Sequence, residues 1–198
     1  FWQFIPSTAE AFGLTINEEI DERYHPEKAT EAACKFFKQA YKQFGNWTLV
    51  AASFNLGTNG IQKQLDRQNV KSYYDLLLNE ETGRYVFRVL AMKEILSNPQ
   101  NYGFVLRKKD LYSPLPGKFT KVDSTISNLT QFAEQHGTNY KMLKYYNPWL
   151  RTDKLTNPDK KVYSIKIPHE SVMNYKELLK EVETLNPEQP IQDTIQPK

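Results

Sequence analysis

Five carboxylates near the start of the chain are, by residue type, the groups that could supply acid–base chemistry. A carboxyl group acts as a general acid near neutral pH only when apolar surroundings raise its pKa. A run of charged residues more often faces solvent or caps a helix. The pattern therefore favours surface and capping roles over catalysis for all five, which are Glu10, Glu18, Glu19, Asp21 and Glu22.

Residues that could act as nucleophiles or metal ligands are sparse. The single cysteine, Cys34, excludes an intrachain disulfide and a cysteine-based zinc cluster, and its apolar neighbours predict a buried, unreactive thiol. His25, His136 and His169 are isolated in the sequence and lie near predicted caps or loops. We therefore predict no metal site and no cofactor.

Charge and hydrophobic content indicate a folded protein that does not bind nucleic acid. The 26 basic and 23 acidic residues are well mixed, whereas a nucleic-acid footprint clusters basic residues on one face. Hydrophobic residues make up 39% of the chain, enough for a packed core, yet no apolar run approaches the roughly 18 to 20 residues of a membrane span. Aromatic residues reach 13%, and such rings serve both as core and as platforms for sugars.

The first half of the chain has the periodicity of helices. Apolar residues recur at three- and four-residue spacing over 26–44, and the run 48–55 is apolar almost all round, which predicts a buried central helix. A third helix is predicted from about 80 to 95, with a stripe facing the core. That stripe consists of Val86, Val89, Leu90 and Ile95.

The second half differs from the first in composition and in hydrophobic pattern. Two prolines and a glycine over 111–118 predict a linker. The patterns beyond it predict a short strand, two helices and an alternating strand at 161–168. The order β-α-α-β gives the whole chain the fold class α+β, with a mainly α first part.

We divide the chain into four parts on this basis. Residues 1–110 form the helical part, 111–118 the linker and 119–168 the β-α-α-β part. Residues 169–198 hold one helix near 171–184 and a proline- and glutamine-rich tail, which is predicted to be disordered.

The first residues are unusually apolar for a chain terminus. Phe1, Trp2 and Phe4 precede Ser7-x-x-Glu10, which fits a helix capping box. A start of this kind is typical of the interior of a folded domain, so we expect further sequence upstream.

Three segments in order, "FWQFIPSTAEAFGL", "DERYHPEKATEAACKFFKQAYKQFGNWTLVAASFNLG" and "ETGRYVFRVLAMKEIL", resemble the catalytic domain of lytic murein transglycosylases over roughly 1–104. The resemblance implies a lysozyme-like α fold. It also implies cleavage of the β-1,4 bond between N-acetylmuramic acid and N-acetylglucosamine, with formation of a 1,6-anhydro ring. One glutamic acid performs both proton transfers in this family. It precedes the segment matched by the first residues here, so the resemblance implies that it lies upstream of Phe1 and that these 198 residues are inactive.

The resemblance carries over five further residues. Gln3 matches a substrate-binding glutamine, and Trp2 matches either a groove wall or a core residue. Phe54 and Asn55 match the last two positions of the family's Ala-Tyr-Asn, with the tyrosine hydroxyl lost, and both are implied to contact substrate. Tyr85 matches an auxiliary tyrosine beside the catalytic carboxyl. Structural alternatives stay open: a helix cap for Asn55, a satisfied buried amide for Gln3 and a packed ring for Tyr85.

The stretch "VDSTISNLTQFAEQHGTNYKMLKYYNPWL", followed by "KVYSIKIP", resembles LysM, a module that binds glycans containing N-acetylglucosamine. The resemblance implies a binding groove near Asp123, Ser124 and Thr125, with Asn147 and Trp149 across it. The glycine of the usual Gly-Asp-Thr is absent. Asn147 could instead cap a helix, and Trp149 could be core.

Together the two resemblances imply that the partner is peptidoglycan and that the site of action is the bacterial envelope, either the periplasm or the outer membrane. Membrane association would need an anchor upstream of these residues. Two alternative functions remain open: a glycan-binding protein without catalysis, and a lysozyme-like hydrolase.

Overall fold

The computed structural model describes residues 1–107, 110–111, 116–169 and 172. It divides into two compact units. The first unit comprises Phe1–Ala29 with the described residues from Leu106 onward, and the second comprises Thr30–Val105. The predicted helix near 171–184, apart from residue 172, and the tail lie outside the described residues, as does half of the predicted linker, residues 112–115.

Seven helices and two strands make up the described regular structure, which confirms the predicted α+β class. Three 3₁₀ turns lie at Glu22–Tyr24, Tyr73–Asp75 and Pro99–Tyr102. In chain order the elements are α1 (Pro6–Ala11), α2 (Pro26–Phe44), α3 (Trp47–Leu56), α4 (Thr58–Gln68), α5 (Glu80–Ser97), β1 (Gly117–Val122), α6 (Leu129–Gln135), α7 (Tyr140–Tyr146) and β2 (Tyr163–Pro168).

Asparagine caps and a left-handed turn define the helices of the second unit. The side chain of Asn46 accepts hydrogen bonds from the first turn of α3, and that of Asn79 accepts one from Thr82 at the start of α5. Asn69, with φ of 52°, ends α4 in the left-handed conformation. The helices enclose a core of Leu49, Ala52, Ile61, Leu65, Tyr73 and Val86.

Residues 117–168, which we call the module, form a two-stranded antiparallel sheet covered by the two helices that lie between the strands in the sequence. Strands β1 and β2 pair antiparallel, with Gly117 opposite Pro168 and Val122 opposite Tyr163. A Cβ at Gly117 would lie 2.6 Å from the carbonyl oxygen of Ile167, so this position requires glycine. The module core contains Val122, Ile126, Leu129, Ala133, Leu143, Trp149, Leu150, Leu155, Tyr163, Ile165 and Ile167.

A segment near the start of the chain completes the core of the module. Ile20 is buried among the module's apolar side chains and forms an antiparallel bridge with Leu150. The backbone N–H of Asp21 donates to the Trp149 carbonyl at 2.9 Å, and that of Arg151 donates to the Glu19 carbonyl at 2.7 Å. We call this pairing of 19–21 with 149–151 the clasp. The sequence patterns did not indicate it.

Two predictions about burial are wrong. Cys34 is exposed because the buried stripe of α2 passes through Ala32, Ala33 and Phe36 and leaves position 34 on the outer face. On α5 the predicted stripe is only partly buried. Val86 is 5% exposed, whereas Val89 and Leu90 are exposed, because burial along this helix is confined to its first turns, where Val86 packs against α3. Among the described helices, none combines the length and apolar character needed to cross a membrane.

Candidate functional site

The end of α3 and the start of α5 hold the polar group of the second unit that is best placed for binding. The Thr82 hydroxyl donates to Asn55 Oδ1 at 2.8 Å, and Asn55 Nδ2 donates to Glu81 Oε1 at 3.4 Å. Thr82 is 1% exposed, while Asn55 is half-buried. Gly57, rather than Asn55, is the C-cap of α3. The Asn55 side chain is therefore held at a fixed position by α5 and does not cap its own helix.

Phe54 belongs to an aromatic cluster within the second unit. Its ring lies edge-on to Phe36, with ring centroids 5.3 Å apart, and tilted against Phe37 at 5.1 Å. Aromatic pairs at such separations contribute beyond the burial of their area. Phe54, at the position matched to the family's tyrosine, therefore packs against two other phenylalanines.

Tyr85 lies three positions after Thr82 on α5 and is half-buried. Burial raises the pKa of its phenol. The hydroxyl accordingly stays protonated through neutral pH and can donate a hydrogen bond.

The segment carrying Trp2 and Gln3 lies in the first unit. Gln3 is exposed and has φ of 53°, a backbone conformation that residues other than glycine adopt rarely. It lines a cleft of about 190 Å³ with Phe1, Phe4, Arg23 and Tyr24. Trp2 is half-buried.

Arg23, which the sequence reasoning missed, anchors this segment. Its guanidinium donates to the Phe4 carbonyl at 3.2 Å and to both carboxylate oxygens of Asp21, the closer at 2.6 Å. The Arg23 side chain lowers the pKa of Asp21. An acidic residue two positions before an arginine in "DERY" is the sequence signal that could have indicated this fork-shaped pair.

The carboxylates predicted to be non-catalytic have structural partners or face solvent. Glu19 accepts hydrogen bonds from the Thr156 N–H at 2.6 Å and hydroxyl at 3.0 Å, and the N–H bond lowers its pKa. The buried Glu22 accepts from the Thr15 N–H at 2.8 Å and pairs with Lys28. Glu10 and Glu18 are exposed.

The two loops of the module that the LysM resemblance singled out are tied together. Asp123, Ser124 and Thr125 are exposed and line a groove of about 440 Å³. The Thr125 hydroxyl accepts from the Asn157 N–H at 3.0 Å, and Ile126 exchanges two 2.9 Å backbone bonds with Leu155. The loop after β1, which borders the groove together with α6, is therefore fixed against the loop before β2.

Asn147 and Trp149 occupy the interior of the module. Asn147 is 1% exposed, and its amide donates to the Leu143 and Lys166 carbonyls at 2.8 and 2.7 Å and accepts from the Lys166 N–H at 2.8 Å. Trp149 is 3% exposed and stacks on Tyr163, with ring centroids 5.9 Å apart. The structure gives both residues the structural roles that the sequence left open as alternatives, a helix end and a core residue.

The part of the chain that the structure describes contains no group of three or more histidine, cysteine, aspartate or glutamate residues arranged to hold a metal ion.

Two family models match this chain, one in each half of the sequence. Residues 1–77 match the family model for the transglycosylase SLT domain. Residues 118–171 match the model for the soluble lytic transglycosylase C-terminal LysM-like domain.

Two curated relatives carry the same name. The chain is 29% identical over 151 residues to membrane-bound lytic murein transglycosylase D of Escherichia coli K12, an alignment covering 74% of this chain and 33% of that protein. The values for the protein of that name from Escherichia coli O6:H1 are the same. The chain thus spans about a third of the length of the curated relatives it matches. The chain thus contains an SLT transglycosylase domain followed by a LysM-like domain, and it is homologous to membrane-bound lytic murein transglycosylase D.

Proposed function

We propose that this chain is part of a peptidoglycan lytic transglycosylase of the bacterial cell envelope. The reaction is cleavage of the β-1,4 bond between N-acetylmuramic acid and N-acetylglucosamine, with closure of a 1,6-anhydro ring on the muramic acid. The relatives are named as murein transglycosylases, and one of the two matching domains is LysM-like. The periplasm or the outer membrane is the place where such a protein meets its substrate.

The observation that carries this proposal is the fixed amide of Asn55. An amide side chain offers two N–H donors and two acceptor positions. Thr82 and Glu81 occupy one acceptor position and one donor. The other N–H and lone pair remain for a sugar hydroxyl or an N-acetyl group, and the bonds to α5 fix the direction in which they are presented.

Phe54 and Tyr85 have supporting roles. The Phe54 ring forms part of an apolar wall, and the protonated Tyr85 hydroxyl serves as an auxiliary donor to the catalytic carboxyl. Trp2 and Gln3 bind substrate near the scissile bond. The strained φ of Gln3 supports a binding role, because such backbone conformations cluster at ligand contacts.

The catalytic glutamate, on this proposal, is not among these 198 residues. A general acid needs a raised pKa, whereas hydrogen bonds lower the pKa of both Glu19 and Asp21. The hydrogen bonds of Glu19, Asp21 and Glu22 account for them as structural carboxylates. The chain by itself should therefore bind glycan without cleaving it.

Digestion of purified peptidoglycan followed by mass spectrometry tests the proposal. The full-length gene product should release anhydromuropeptides, and the 198-residue chain should pellet with sacculi without releasing any. In the full-length protein, Asn55→Ala should lower kcat/KM by about tenfold or more through loss of a positioned hydrogen bond, and Asn98→Ala, an exposed asparagine at the end of α5, serves as the control.

Three outcomes would contradict parts of this proposal. Anhydro products from the 198-residue chain would place the acid within it. Products one water heavier from the full-length protein would indicate a hydrolase. Binding to sacculi without any product from the full-length protein would indicate a glycan-binding protein.

A further inference from the structure

A second cleft lies in the first unit, apart from the groove beside the loop after β1, which we call the loop groove. It has a volume of about 130 Å³ and is bordered by the start of α2, by β1, by α7 and by β2. His25, Glu27, Phe119, Tyr145, Tyr146 and Lys166 are among its lining residues. The loop groove is lined by residues 120–136 and shares none of them.

The cleft contains a buried hydroxyl with unmet hydrogen-bonding capacity. Tyr146 is 7% exposed, and among the described residues no partner hydrogen-bonds to its hydroxyl. His25 Nδ1, on the same cleft, has a partner in Glu27, whose Oε2 lies 3.1 Å away. Buried polar atoms are almost always paired in folded proteins, so the Tyr146 hydroxyl points to a ligand that would pair it.

Aromatic rings form the walls and rim of the same cleft. The side chains of Phe119 and Tyr145 are 56% and 65% exposed, which is high for rings that contribute to a fold. Trp149 lies beneath, stacked on His25 with ring centroids 5.7 Å apart. Exposed aromatic faces next to hydrogen-bonding groups suit a ligand that has both an apolar face and polar edges.

The charges around the cleft favour a neutral ligand. Lys166 is held near the Phe119 and Tyr146 rings, 5.8 and 5.7 Å from their centroids, and Glu27 supplies the opposite charge. Burial lowers the pKa of His25, so its imidazole is neutral near pH 7 and adds no net charge. An anionic ligand would meet Glu27, and a cationic ligand would meet Lys166.

We propose that this cleft is a second saccharide-binding site, which takes one neutral, N-acetylated sugar ring. The ring stacks on Tyr145 and Phe119, and the Tyr146 hydroxyl hydrogen-bonds a hydroxyl or acetamide group in the cleft. The site is additional to the loop groove and rests on the proposed function only in its choice of a glycan as ligand. Two sites on one module would bind one strand with higher avidity than either site alone.

Titration of the ¹⁵N-labelled chain with the β-1,4-linked tetramer of N-acetylglucosamine tests this site. We expect saturable shifts of the Phe119, Tyr145 and Lys166 amides that are independent of those in the loop groove. Tyr145→Ala removes an exposed ring and should weaken binding at the cleft by about threefold to tenfold. Tyr102→Ala, an exposed tyrosine of the second unit, is the matched control.

Tyr146→Phe separates binding from folding. Because this substitution removes a buried hydroxyl that has no partner, it should leave the melting temperature unchanged or higher. It should also weaken binding of the saccharide at the cleft by about threefold to tenfold. Asp123→Ala should alter only the shifts in the loop groove.

The inference would be overturned if saturating tetramer shifted only the amide resonances of the loop groove. It would also be overturned if Tyr145→Ala and Tyr146→Phe both left the affinity at the cleft unchanged. Either result would leave the proposed function intact. Failure of the proposed function would be seen separately, in the absence of products from the full-length protein.

Discussion

The module and the second unit differ in how far their apolar side chains are buried. The module buries leucine on both helices, isoleucine on β2 and Val122 on β1, and Leu129, Leu143 and Ile165 have no exposed surface. In the second unit, by contrast, most of α5 carries its apolar side chains in the open. Phe87, Val89, Leu90, Met92 and Leu96 are all exposed. Contiguous exposed apolar residues are typical of surfaces that contact another molecule or another segment. The contrast therefore separates a closed core from a helix whose apolar side chains are not covered by the described residues.

Two asparagines at helix ends differ in how much of their hydrogen-bonding capacity is used. Asn147 has both amide hydrogens and its oxygen bonded to backbone within the module. Asn55 is bonded to two side chains and keeps capacity for further bonds. The first arrangement stabilises the module, and the second leaves the hydrogen-bonding capacity on which the proposed substrate contact rests.

The largest effect should come from matched leucine truncations. Leu143→Ala in the module core should lower the free energy of unfolding by about 4 kcal/mol, because it removes fully buried atoms and leaves a cavity. Leu90→Ala on α5 should change it by less than about 0.5 kcal/mol. Urea denaturation followed by circular dichroism measures both. Similar values for the two variants would remove the distinction between the regions.

The asparagine pair should give the next largest effect. Asn147→Ala leaves the carbonyl and the N–H of Lys166 without their partner and should cost about 3 kcal/mol, whereas the Leu143 carbonyl keeps the backbone N–H of residue 147. Asn55→Ala loses one good hydrogen bond and should cost about 1 kcal/mol. Chemical denaturation and hydrogen exchange of the module amides provide the measurement. A larger cost for Asn55→Ala would reverse the roles given to the two residues.

The contribution of Glu19, at the clasp, to stability should depend on pH. The folded state lowers the pKa of Glu19 below its ordinary value of 4.5, so its contribution is present above that pH and is lost as the pH falls through the lowered pKa. Glu19→Gln should therefore show a smaller decrease in unfolding midpoint between about pH 6 and about pH 3. Glu18→Gln, at the exposed neighbouring position, is the control and should follow the wild type. Identical pH profiles for Glu19→Gln and the wild type would argue against the contact with Thr156.

The smallest effect concerns the outer face of α2. Because Cys34 is exposed, its thiol should react fully with Ellman's reagent in the native protein, and Cys34→Ser should change stability by less than about 0.5 kcal/mol. A thiol that reacts only after denaturation would restore the buried position that the sequence predicted.

Periodicity and motif order predicted the elements well. The apolar spacing of 26–44 predicted α2, the alternation of 161–168 predicted β2, and the order of segments predicted the family, which the comparisons confirm. Each of these signals is local in sequence, and local signals determine the type of an element.

Pairings between distant segments could not be predicted in the same way. The residues around Ile20 have no strand pattern, and the bridge to Leu150 arises from a tertiary contact. A polar residue at the end of an apolar helix indicates that a partner is needed, without indicating which one. The sequence could therefore not distinguish Asn147, bonded to the backbone of β2, from Asn55, bonded to Thr82.

The clasp also sets an order of events during folding. Glu19 and Thr156 are 137 positions apart in the chain, and joining them closes a loop far longer than any helical turn. Loop closure on this scale costs conformational entropy that local contacts do not, and contacts between distant positions form slowly. The capped helices should therefore form early. The segment around Ile20, among the first parts of this chain to be synthesised, should be among the last to reach its final position.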